Sequence, residues 1–180
     1  SYIILNNTDR VFVNEINDAD ILTSKGRNGK NAYKKVIDDL GKIKFDGKTN
    51  ISDAVKKRNL TYRGCSIIIS DFLDSKGIEE AVKYLAYKKQ EIILIQVLAR
   101  EEIEVDMEGT VNMIDIETNE DIKITLTKTV IEKYKEQLTA LTLELERLSK
   151  KYHMIYIRAI SDEPIDKVIF EGFKNTGFLY

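Results

Sequence analysis

Proline is nearly absent: Pro164 is the only one in 180 residues, and glycine-serine clusters are few. With so few breakers there is no obvious interdomain linker, and no segment recurs at a fixed period, so residues 1–180 read as one domain. Cysteine and histidine occur once each, as Cys65 and His153. A lone cysteine forms no internal disulfide, and this pair cannot build a zinc centre within one chain, which points to reducing surroundings. No apolar run reaches the roughly 18 residues needed to cross a bilayer, and no basic stretch leads into an apolar one with a cleavage site. The expectation is a soluble, cytoplasmic segment without membrane contact, within a protein that could still be anchored upstream. A basic stripe is missing too: the net charge is −2 with lysines spread throughout, so nucleic acid is not an expected partner.

What is present is enough apolar surface for a core, 43% of residues, beside 32% charged ones. Val11 to Ile16 and Ile21 to Thr23 are short strand candidates. A helical pattern then runs through Val36, Ile37 and Leu40 and stops at Gly41. Ile51 to Arg58 should be a short helix capped by Thr49 or Asn50, whose side-chain oxygens can accept from first-turn N–H groups. Ser66-Ile67-Ile68-Ile69 reads as a buried strand running into Ser70-Asp71-Phe72-Leu73-Asp74. A helix over Ile78 to Lys89 and an apolar strand over Glu91 to Leu98 follow, and this alternation implies a parallel sheet with right-handed crossovers. Val111 to Ile116 and Ile122 to Leu126 alternate apolar and polar residues, predicting a β-hairpin insertion within 104–126. The spacing of Val130, Tyr134, Leu138, Leu141, Leu145 and Leu148 predicts a long helix over Thr129 to Lys151. Met154 to Ile160 is a last strand, and Pro164 suits the first turn of a closing helix through Val168 and Phe170.

In open α/β sheets ligands gather outside the carboxyl ends of parallel strands, which is where Asp71 stands. It could be a ligand-binding carboxylate, cap the following turn or pair with a lysine. Thr49 alone reads as a helix cap, and Asp74 as a helix-start residue or a second metal-binding carboxylate. His153, after Lys150 and Lys151, suits a helix C-terminus rather than catalysis. Cys65 reads as a small buried hydrophobe. The leucines of the long helix read as core, and Arg100-Glu101-Glu102 as a solvated charge run.

An apolar strand ending in Ser-Asp-Phe-Leu-Asp, then a strand followed by Arg100-Glu101-Glu102, Gly109 ahead of Asp115-Ile116-Glu117-Thr118, and a long helix bearing Tyr134: this order resembles the bacterial family of unknown function numbered fifty-eight, whose members resemble von Willebrand factor A domains. The likeness runs over nearly the whole chain. It implies a Rossmann-like, doubly wound, mostly parallel sheet flanked by helices, with a metal-ion-dependent adhesion site on top. In the family that site takes an Asp-x-Ser-x-Ser loop, a threonine and an aspartate. Thr49 matches the second element and Asp71 the third, with Ser70 adjacent. No Asp-x-Ser-x-Ser occurs in the chain, so its first central strand and metal loop are expected to be missing. Mg²⁺ or Mn²⁺ would then be held weakly if at all by this segment, because one carboxylate and one hydroxyl leave most of an octahedral shell to water.

Two functional classes follow. The resemblance implies a non-catalytic protein-interaction module, an adaptor or co-chaperone working with a MoxR-type AAA ATPase or its client. The alternative is a Mg²⁺-dependent phosphatase or nuclease using Asp71 and Asp74. For the latter, Asp71 and Asp74 do not have the Asp-x-Asp spacing of a nucleophile motif, and a Walker-type loop is lacking. Loss of a central strand would also leave ladder groups and apolar side chains open, to be covered by a second copy, by the Tyr2-Ile3-Ile4-Leu5 run or by distortion of the sheet.

Overall fold

The computed structural model describes residues 10–16, 21–23, 26–42, 50–58, 60–73, 77–105, 109–114 and 121–174. Two compact units are present, Ser1–Asn50 with Ile114–Ile122, and Ile51–Met113 with Lys123–Tyr180.

In the first unit, β1 (Arg10–Val11) pairs antiparallel with β4 (Arg27–Asn28), and β2 (Asn14–Ile16) with β3 (Ile21–Thr23). The expected strand from Val11 to Ile16 is therefore broken at Phe12 and Val13, because its two ends serve different partners. Gly26 makes room for this: a Cβ there would lie 2.6 Å from the Phe12 ring. Helix α1 (Tyr33–Leu40) buries Val36, and Asp39 accepts from Arg27 at 2.6 and 3.0 Å. It ends at Gly41, as its spacing predicts.

The second unit is built on a parallel sheet in the order β5 (Cys65–Ser70), β6 (Glu91–Leu98), β9 (Ile155–Ile160). Helices α2 (Ile51–Lys57), α3 (Ile78–Tyr87) and α5 (Lys128–Tyr152) send Ile51, Val55, Val82, Leu85, Leu145 and Leu148 into one core with Ile68, Ile92 and Leu94 of the sheet. Helix α6 (Ile165–Lys174) lies against the opposite face, where a Cβ on Gly172 would come within 2.9 Å of Ile157. A parallel sheet between helices is the expected Rossmann-like α/β arrangement. The central strand β6 is buried on both faces, and its bounds are those the sequence predicts.

Three expectations need correction. The apolar strand β5 is not buried throughout: it pairs only with β6 among the described residues, leaving Ile67 44% and Ile69 65% exposed. Cys65, on the same face, is exposed rather than core. The stripe of α5 is core only in its later half, since Val130 is exposed while Leu145 and Leu148 are fully buried. A third two-stranded sheet pairs β7 (Gly109–Ile114) with β8 (Asp121–Leu126), strands begun two residues and one residue before the predicted ones; residues 115–120, on which the expected hairpin turn falls, lie outside the described residues. The charge run after β6 forms a four-residue helix, α4 (Arg100–Ile103), on which Arg100 and Glu101 are exposed.

Candidate site at the carboxyl end of the sheet

Strand β5 stops where side-chain oxygens take over the backbone's hydrogen bonds. The Phe72 N–H donates to Ser70 Oγ at 3.1 Å, and the Leu73 N–H to Asp71 Oδ1 at 3.0 Å. The Ser70 hydroxyl also reaches Asp71 Oδ1 at 3.4 Å. These short side-chain bonds accompany a left-handed backbone at Phe72, a non-glycine residue at φ 60° that is 1% exposed in the core. The turn-forming role weighed for Asp71 is thus present, and its carboxylate stays at the surface.

Behind the loop lies a polar side chain within an apolar strand. Gln96, opposite Ser70 in the ladder, is 0% exposed. Its Nε2 donates to the Asp71 carbonyl at 3.0 Å and its Oε1 accepts from the Tyr156 hydroxyl at 2.5 Å. Both ends of the amide are satisfied, as burial requires, and the loop is tied to β6 and β9. Burial pushes the Tyr156 phenol up from its ordinary value, against the opposing influences of Arg158 and Thr142.

The end of β6 supplies a second carboxylate. Glu102 Oε2 accepts from the Ala99 N–H at 2.6 Å, closing the first turn of α4. Tyr134 of α5 has its phenol raised first by burial, then by the negative charges of Glu102 and Asp71. Arg100 forks onto Asp162 beyond β9 at 2.7 and 3.1 Å, raising the guanidinium and lowering the carboxyl. Gln96, Glu102 and Tyr134 were not among the site candidates read from sequence. For Gln96 a signal exists: an amide inside a strand buried on both faces must find partners.

Thr49 and Asp74 lie outside the described residues, so no distance joins either to Asp71. Cys65 is set apart at the amino end of β5, its thiol raised by local burial and then by Glu91. His153 is the left-handed residue closing α5, its N–H bonded to the Ser149 carbonyl, in keeping with the helix-end reading. No group of three or more His, Cys, Asp or Glu suited to an ion occurs among the described residues. A divalent ion needs more oxygen donors than the one Asp71 carboxylate and the Ser70 hydroxyl, which are already partly engaged with the loop's own N–H groups. The described residues do not by themselves fit a metal centre. What they form is a fixed, solvent-facing carboxylate.

Among known proteins, the family described as "Protein of unknown function DUF58" matches residues 1–142. A solved structure, that of the conserved hypothetical protein BatB from Bacteroides thetaiotaomicron, is similar over 94% of this chain and 80% of its own, at 16% identity and a TM-score of 0.48. No curated protein matches.

Proposed function

We propose, from the premise that the chain belongs to the DUF58 family of proteins of unknown function, that it is a non-catalytic protein-interaction module whose contact point is the Asp71 loop. The observation carrying this reading is the loop's construction. Asp71 keeps a carboxylate at the surface while one of its oxygens accepts from the Leu73 N–H, its backbone carbonyl accepts from Gln96 and the next residue, Phe72, is buried, so presenting the charge costs little further ordering. Such a group suits a lysine or arginine of a partner, through a charge-assisted hydrogen bond. Asp71 would also serve as one ligand among several if other segments supplied the rest of an Mg²⁺ or Mn²⁺ shell. The partner we propose is a MoxR-type AAA ATPase or its client, the chain acting as adaptor or co-chaperone.

The test is binding of a MoxR-type ATPase from the same genome to the immobilised chain, wild type against Asp71→Asn. The amide keeps an acceptor for the Leu73 N–H and removes the charge. Loss of one charge-assisted contact, about 1.5–3 kcal/mol, should weaken binding by roughly ten- to a hundredfold. Unchanged affinity would remove Asp71 from the contact, and phosphoesterase turnover abolished by the same substitution would replace this reading with a catalytic one.

A further inference from the structure

Parallel strands are joined by helices that run back past them, so those helices end beside the amino ends of the strands. In the second unit the last turns of α2 and α5 and the links that follow α2 and α3 therefore gather where β5, β6 and β9 begin. Hydrogen bonds hold two of these links side by side. Gln90 Nε2 donates to the Tyr62 carbonyl at 2.7 Å, the Glu91 N–H to the Gly64 carbonyl at 2.8 Å, and the Tyr84 hydroxyl to the Arg58 carbonyl at 3.3 Å. Segments 57–64, 87–91 and 150–153 together carry seven lysines and arginines and one carboxylate, Glu91. Cations scattered along the sequence thus meet at one end of the sheet, in a chain whose net charge is −2. Lys151 is engaged by Glu79, and Lys88 lies over the Tyr84 ring. Lys57, Arg63, Lys89 and Lys150 are exposed and have no ion pair among the described residues. Two aromatic rings stand beside them, Tyr62 85% and Tyr87 80% exposed. Cations near the carboxyl end of a helix offset its dipole, which accounts for Lys57 and Lys150. It accounts neither for Arg63 and Lys89, which lie outside the helices, nor for two tyrosines kept in water.

We infer that this end of the second unit binds the surface of an anionic lipid bilayer. A bilayer presents its charge as a plane, which cations spread over the ends of several elements meet together. A DNA duplex presents a narrow cylinder and hides its bases from the tyrosines. Tyrosine rings, apolar in the body and polar at the tip, suit the level of the lipid headgroups, and lysine and arginine stems extend the apolar cover around them. Such a contact needs no apolar run, so the lack of a spanning segment does not bear against it. It is reversible, because a basic patch alone does not anchor a protein. The inference uses no residue of the Asp71 loop, which follows β5 at the other end of the sheet, and it does not depend on the proposed function.

Sedimentation of the whole chain with vesicles of equimolar phosphatidylglycerol and phosphatidylcholine, against vesicles of phosphatidylcholine alone, tests it. Binding is expected to the anionic vesicles only, and it should disappear as salt rises from about 0.05 to about 0.5 M. Each cation close to such a surface strengthens binding about fivefold, so Lys57→Glu combined with Lys150→Glu should weaken it by about a hundredfold or more. Lys133→Glu with Lys135→Glu makes the same change in net charge more than about 20 Å along α5 from Lys150, beyond two Debye lengths at about 0.15 M salt, and should weaken it by less than about tenfold. The chain has no tryptophan, so Tyr62→Trp places a single reporter in the patch. Its emission should shift to the blue on anionic vesicles. Circular dichroism confirms that each variant is folded. The inference is overturned by a chain that leaves anionic vesicles unbound, by equal binding to both kinds of vesicle, by equal losses in the two double variants, or by a reporter whose emission does not move. Tighter binding to a single-stranded oligonucleotide, removed by the same Lys57 and Lys150 reversals, would replace the lipid with a nucleic acid.

Discussion

Gln96 has no solvent exposure and two partners, the Asp71 carbonyl and the Tyr156 hydroxyl. Replacing it with leucine would leave both without a mate, and stranded buried groups cost about 1–3 kcal/mol. Urea unfolding of Gln96→Leu should show that loss, and adding Tyr156→Phe should give less than the sum of the two single changes. A neutral Gln96→Leu would mean that water replaces the amide. Gly77 offers a second residue-level test: it sits at φ +89° with its would-be Cβ 2.7 Å from the Ser52 Cβ. Gly77→Ala should therefore lose at least the roughly 1–2 kcal/mol of a left-handed alanine, seen as a lower denaturation midpoint. Asp71 was legible in the sequence because an apolar run ending in oxygens marks a strand end. For Gln96 only the need of partners was legible, because the partners themselves come from an adjacent loop and from a strand 60 residues on, and only the sheet brings them together.

Helices α3 and α5 are joined at the surface by Glu79, which accepts from Lys151 at 2.6 Å and from Arg147 at 3.3 Å, while Arg147 also holds Glu144 at 2.7 Å. The Lys151 hydrogen bond, foremost, sets the Glu79 carboxyl below its ordinary value; Lys56 does so for Glu80 and Arg147 for Glu144. A carboxyl lowered in the folded state stabilises fully above its unfolded value, and that contribution drains away as pH falls through the lowered one. Stability should hold from neutrality to about the ordinary glutamate value of 4.5 and decline below it. Urea midpoints against pH for wild type and Glu79→Gln check this, the variant giving the shallower acid decline. Elements were legible where local pattern and burial agree: β6 is apolar because both faces are covered, and α1 stops at its glycine. They were less so where pairing decides. The two-residue strands β1 and β4 exist only through each other, across a separation that no periodicity records.

For the molecule entire, the charge balance is the plainest determinant of what it meets. With a net charge of −2 it has no surplus of cations to displace the counterions of a nucleic acid. A labelled DNA duplex should show no change in anisotropy at about 0.15 M salt, and tight, salt-sensitive binding would contradict this. Among the described residues no helix is long and apolar enough to cross a membrane. The α/β character was readable from strand–helix–strand alternation, whereas the one-sided pairing of β5 among the described residues was not, because periodicity does not record which strands meet. One consequence reaches beyond binding. The Asp71 loop lies at the surface, yet its Phe72 and Leu73 N–H groups are bonded to side chains of the same turn, and that turn is pinned by a ring in the core. The part-buried Phe72 amide hydrogen should therefore trade for deuterium more slowly than that of Leu73, whose bond to the Asp71 carboxylate is exposed, so two adjacent amides time separately the fraying of the surface and the opening of what lies beneath it.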